Sequence, residues 1–125
     1  MAFTVQYEPD KGHLIARLTG TLDREVLGQY ARAIFEAGRT YNCKKLLNDI
    51  SQVVMDISIS EIFYLPELLE SVGIDSTWKR AVLYTADQEK FRFLETRMFN
   101  EGHPVKIFRD RDSAVRWLDF GEENP

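Results

Sequence analysis

The sequence predicts one α/β domain of order ββαβαβαβα, a mostly parallel sheet with crossover helices. Three observations predict it. After an opening pair of alternating β-rich runs, short strand-like segments alternate with stretches of helical apolar spacing, the pattern of successive βαβ units. The interior runs KKLLND and KRAVLYT are apolar at their centres, as strands covered on both faces are. The length, 125 residues, fits one domain with one ordinary core. The domain is expected over residues 1–120, with GEENP at 121–125 as a loose tail.

The elements follow in order. Phe3 to Glu8 and His13 to Thr19 alternate, the second with Leu14, Ala16 and Leu18 on one side. PDKG between them supplies Pro9 for a turn and Gly12 for a positive φ, so the chain opens on a hairpin. A first helix follows Asp23 as N-cap, with Glu25 in its first turn and Gly38 as its stop. Lys44 to Asp49 is a short buried strand. A second helix occupies SEIFYLPELLESVG, with the capping-box spacing at Ser58 to Glu61 and Gly73 at its end. Pro66 lies past its first turn and predicts a kink or a later helix start. Lys79 to Thr85 is a strand, Asp87 caps a third helix closed by Gly102, and Pro104 to Phe108 is the last strand. Asp110 or Asp112 caps the final helix, SAVRWLDF.

Composition excludes several functions. Sixteen basic against 20 acidic residues give a net charge of −4, with no basic patch for nucleic acid. Apolar runs fall far short of the ~20 residues that span a bilayer. The N-terminus has no basic segment followed by an apolar stretch, so no secretory signal is expected and a cytoplasmic location is. Cys43, the single cysteine, excludes an internal disulfide and a multi-cysteine metal site. No cofactor motif such as G-x-G-x-x-G, no P-loop and no H-E-x-x-H occurs, and no metal site is expected.

Two stretches, KKLLNDISQV at 44–53 and VKIFRDRDSAVRWL at 105–118, resemble the SpoIIAA-like proteins, small bacterial domains related to the STAS anti-sigma-factor antagonists and more remotely to the CRAL-TRIO lipid-transfer fold. The element order agrees along essentially the whole chain. Both motifs consist mainly of core and cap residues, so the resemblance speaks to fold before function. In anti-sigma antagonists an Asp-Ser pair opens the helix after the strand, and a kinase phosphorylates that serine. The corresponding serine here is Ser58, with the acidic residue at Asp56 and Ser60 where a glycine would stand.

Four groups of residues are candidate sites. Asp56, Ser58 and Ser60 read either as a phosphorylation or partner loop, where helix N–H groups would receive the added charge, or as a plain cap. Asp49, Asp87 and Arg109, with Thr85, sit at predicted strand ends, where open α/β sheets bind ligands, and would line a small polar crevice. Phe63, Tyr64 and Phe93 fall off the apolar stripes of their helices and would form an interaction surface, whereas Phe91, Leu94, Met98 and Phe99 share the core face. Glu95 lies within that apolar face, and an arginine such as Arg109 or Arg111 is its expected partner. His13 and His103 belong to no ligand-like spacing, and Cys43 lacks a base placed by sequence. The reading is therefore a non-catalytic regulatory or protein-interaction module, with a protein partner or a second copy of itself in a homodimer as the expected partner. The alternative is a carrier of a small apolar ligand, as the CRAL-TRIO relationship implies.

Overall fold

The computed structural model describes residues 3–84 and 88–120. Ten elements run in the order β1 (Phe3–Glu8), β2 (His13–Leu22), α1 (Arg24–Tyr41), β3 (Lys45–Met55), α2 (Ile59–Phe63), α3 (Leu65–Val72), β4 (Lys79–Leu83), α4 (Gln88–Asn100), β5 (Val105–Phe108) and α5 (Arg111–Phe120). The five strands form one sheet in chain order. Only the β1–β2 pair is antiparallel, and the other three pairs are parallel. Helices α1 to α4 cover one face over a core that includes Leu14, Leu18, Ile34, Leu46, Trp78 and Phe91. Helix α5 covers the other, where Leu118 and Ala114 meet Leu47, Ala81 and Phe108. The alternation of β2 produces this division: Leu14, Ala16 and Leu18 enter the larger core, while Ile15 packs toward α5.

The hairpin closes as the sequence predicts, with the Gly12 N–H on the Glu8 carbonyl at 2.8 Å and Gly12 at φ 70°. Asp23 caps α1 by accepting from the Val26 N–H at 2.9 Å. Gly38 does not stop that helix. The helix runs on to Tyr41, and Asn42 takes the left-handed conformation at φ 50°. Gly38 is instead buried against Trp78. A side chain there would meet the indole Cζ2 at 2.7 Å and the Cys43 carbonyl at 2.8 Å.

The strand predicted to end at Asp49 continues to Met55. After an irregularity in the register between Arg17 and Thr19, residues 52–55 pair with 19–22 of β2. Much of the polar Asp/Ser stretch is thus strand, extending a two-stranded ribbon past the end of β4. The single helix expected after it is two helices. Tyr64, at φ −94° and ψ 3°, separates α2 from α3, and Pro66 stands in the first turn of α3, where a missing N–H is harmless. Asp110, rather than Asp112, caps α5, accepting from the Ser113 N–H at 2.8 Å. Asp87, Thr85 and the tail at 121–125 lie outside the described residues.

Candidate functional site

The sharpest surface feature is the α2–α3 junction. Ile57 is buried and pins the incoming chain to the core, which leaves Asp56 and Ser58 exposed on either side. Ser58 forms the predicted capping box. Its Oγ accepts from the Glu61 N–H at 3.2 Å, and Glu61 accepts from the Ser58 N–H at 3.0 Å. The backbone and hydroxyl hydrogen bonds from Ser58 hold the Glu61 carboxyl below its ordinary range. The Ser60 hydroxyl is exposed and lies 3.2 Å from that of Ser58.

One turn on, Phe63 and Tyr64 project from the surface, 46% and 64% exposed, with their rings edge to face at 5.2 Å. Arg97 of α4 fixes Phe63. Its Nε donates to the Phe63 carbonyl at 2.8 Å, so it caps the broken end of α2. Its guanidinium lies over the Phe63 ring, 4.5 Å from the centroid, and is itself held by Glu67 and Glu101. A dent of about 210 Å³ beside the pair is lined by Arg24, Ile57, Ser60, Tyr64 and Leu65. Loop 56–60 and the aromatic pair therefore make one continuous surface. Phe93 is half-buried against the main core, and Phe99, expected in the core, is 77% exposed. The buried arc of α4 is centred between Phe91 and Leu94, which leaves Phe93 and Phe99 on its two flanks.

Of the strand-end group, Asp49 and Arg109 fall within the described residues, and no hydrogen bond or ion pair joins those two. Asp49 is held within its own strand region, accepting from Ser51 Oγ at 2.6 Å, the Ser51 N–H at 3.1 Å and Arg17 Nε at 3.2 Å. Burial pushes its carboxyl up, but the bonds from Ser51 and Arg17 prevail and hold it below the ordinary range. Arg109 is exposed just beyond β5, and Asp87 lies outside the described residues. Among the described residues, Glu95 has no arginine partner of the kind expected. It accepts from the Ile107 backbone N–H at 2.8 Å and so closes a donor on the edge strand β5.

Three sets of buried polar side chains have surroundings that the sequence reading did not specify. Arg80 points from β4 into the core side and is 5% exposed. Its guanidinium meets His103 Nδ1 at 2.5 Å and the Trp78 and Asp75 carbonyls at 3.3 and 3.4 Å, and His103 Nε2 continues to Glu70 at 3.4 Å. Burial brings the Arg80 guanidinium down to about 10. Tyr30 donates to Asn48 Oδ1 at 2.5 Å, and burial pushes its hydroxyl far up. His13 is fully buried, with no hydrogen-bond partner on either ring nitrogen among the described residues. The only signal for Arg80 was its place in the alternation of KRAVL, on the same face as Val82.

Between the sheet and the helices is an apolar void of about 90 Å³, lined by residues including Ile34, Leu46, Ile62, Val82 and Phe91, with Tyr30 and Asn48 on its wall. Among the described residues, no three His, Cys, Asp or Glu side chains gather to hold a metal ion. Nor is any helix among them long and apolar enough to cross a membrane.

This architecture is that of the SpoIIAA-like fold. An uncharacterized protein of the DUF3478 family from Shewanella loihica PV-4, described as having a SpoIIAA-like fold, superposes with a TM-score of 0.62 at 18% identity, over 94% of this chain and 92% of that one. An anti-sigma factor antagonist from Mycobacterium paratuberculosis gives 0.57 at 18% identity, over 94% of each chain. The anti-sigma factor antagonist SpoIIAA in its unphosphorylated form gives 0.50 at 14% identity, over 91% and 94%. No protein-family model and no curated protein matches the sequence.

Proposed function

We propose that the chain is a non-catalytic regulatory module that binds a protein partner through loop 56–60 and the Phe63–Tyr64 pair. One observation carries the reading: two large aromatic side chains stand out beside an exposed serine-capped helix start, with Arg97 holding Phe63 and Phe63 packed edge to face on Tyr64. Interfaces favour rigid aromatic anchors of this kind, with arginine beside them. The antagonist proteins that share the fold support a regulatory role. Asp56, Ser58 and Ser60 are the loop's control point. A phosphate on Ser58 would abolish its 3.0 Å hydroxyl bond to Glu61 and set its negative charge against that carboxylate, loosening the capping box.

Carriage of an apolar ligand is the weaker reading. The internal void of about 90 Å³ is well under the ~300 Å³ at which ligand pockets begin.

The test uses wild-type protein and a Phe63→Ser/Tyr64→Ser variant as baits in extract from the natural host, followed by crosslinking from a photoreactive residue placed at 59. A partner crosslinked by the wild type and lost by the variant supports the assignment. An identical protein set on both baits sinks it. Intact-mass analysis of the same preparation reads any phosphate, and its mapping to Ser58 separates a switch from a cap.

A further inference from the structure

A second surface lies away from the loop, along α1. Glu25, Gln29 and Arg32 are exposed and share one helical face with Gly28. Together they border an open groove of about 800 Å³ between α1 and α3. Its apolar floor includes Phe35, Leu68 and Val72, all partly buried. Neither Glu25 nor Arg32 makes an ion pair among the described residues.

Gly28 is the anomaly. Glycine in a helix interior weakens the helix. Gly38 on the same helix has a reason inside the molecule, because Trp78 occupies the space of a side chain. Gly28 has none: nothing lies within 4 Å of where its Cβ would stand. A residue that small, in the middle of a helix and beside an open groove, suits the approach of another backbone.

We propose that this face is an interface with a second copy of the chain, in which two α1 helices cross antiparallel at Gly28. The charges fit a second copy as the partner, and Gly28 marks the crossing point. A two-fold axis between Gly28 and Gln29 sets Glu25 opposite the partner's Arg32, and its symmetry repeats the pair. Moving the axis onto Gly28 itself would set Arg24 against the partner's Arg32, like against like. In the register centred between Gly28 and Gln29 the face is complementary to itself, and a second copy presents that complement by construction. The absent side chain at Gly28 admits the crossing, and the partner helix then covers the apolar floor beside it. This surface does not use loop 56–60, so the inference stands independently of the proposed partner site.

Sedimentation velocity on the full chain at low ionic strength tests it, from micromolar to sub-millimolar protein. The wild type is expected to dimerise. Glu25→Arg and Arg32→Glu each create two like-charge contacts and are expected to raise the dimer dissociation constant more than about tenfold. An equimolar mixture of the two variants restores both opposite-charge pairs, so the mixed dimer is expected to return to wild-type strength. These residues are exposed, so the variants are expected to fold, and circular dichroism is the check. A wild type that stays monomeric throughout overturns the inference. So does a single variant that dimerises like the wild type, or a mixture that associates no better than its components.

Discussion

The Gly38 backbone of α1 lies directly on the Trp78 ring, with no room for a side chain between them. The glycine sits within the helix, four residues before its left-handed C-cap at Asn42. Its function is close approach rather than termination, since Trp78 is 1% exposed and fills the space beneath α1.

Gly38→Ala is therefore expected to destabilise. The Cys43 carbonyl on the other side of the added methyl blocks an easy retreat, and overpacking of this kind costs about 1–3 kcal/mol. Gly28→Ala, on the same helix but in open space, is expected to stabilise the monomer by about 0.5–1 kcal/mol. Urea unfolding of both variants checks the opposite signs. Equal effects would mean that helix propensity, rather than the indole, governs position 38.

The two serines of the loop are expected to behave differently. Ser58 accepts the Glu61 N–H, and Ser58→Ala removes that cap at a cost of about 1 kcal/mol. Ser60 has no backbone bond, only its 3.2 Å contact with Ser58. Ser60→Ala is expected to fall within about 0.5 kcal/mol of wild type. Thermal or denaturant unfolding reads both. A Ser60 effect as large as that of Ser58 would show that the box is not the dominant local restraint.

Local signals were legible where the chain itself carries the interaction. The hairpin at Gly12, the cap at Asp23, the box at Ser58 and the interruption near Pro66 each depend on residues a few positions apart, and the sequence predicted all four. The differences arise where a distant element decides. Gly38 had the look of a helix stop because the ring that requires it belongs to Trp78. Strand β3 was expected to end at Asp49 because SQ is polar, yet its partner is the end of β2, where one face needs no burial. For the candidate site, the positions of Ser58, Phe63 and Tyr64 on the helix wheel were readable. The clamp by Arg97 was not, because a guanidinium reaching from α4 leaves no local pattern. Arg80 was missed for the same reason: its acceptor, His103, sits 23 residues away in a loop.

That buried pair yields a contrast. His103→Leu leaves the Arg80 guanidinium without its nearest side-chain acceptor, and a lost bond to a charged group costs about 1.5–3 kcal/mol. Arg80→Met removes the buried charge together with its need for a partner, and such replacements are often close to neutral. His103→Leu is thus expected to be the more damaging. A double-mutant cycle measures the coupling, and additivity of the two changes would show that the 2.5 Å contact contributes nothing.

His13 sets an acid limit on the fold. Burial lowers its pKa, outweighing the attraction of Asp119, whose Oδ1 lies 3.9 Å from Nδ1. The other charges facing the ring are Glu8, which also favours the proton, and Lys11 and Arg111, which oppose it. A histidine with a folded pKa below its unfolded value binds protons more readily in the unfolded chain. Its contribution is fully present above the unfolded pKa of about 6.5. It is lost as pH falls from there toward the lowered folded value, so stability rises with pH across that window. Elsewhere in the range this group adds no slope. His13→Leu removes both unpartnered ring nitrogens and keeps an apolar filling between β2 and α5. Stability measured by urea unfolding at a series of pH values is expected to show a shallower acid slope in the variant. An unchanged slope would assign the acid sensitivity to other groups and would mean that His13 binds its proton equally well in the folded chain.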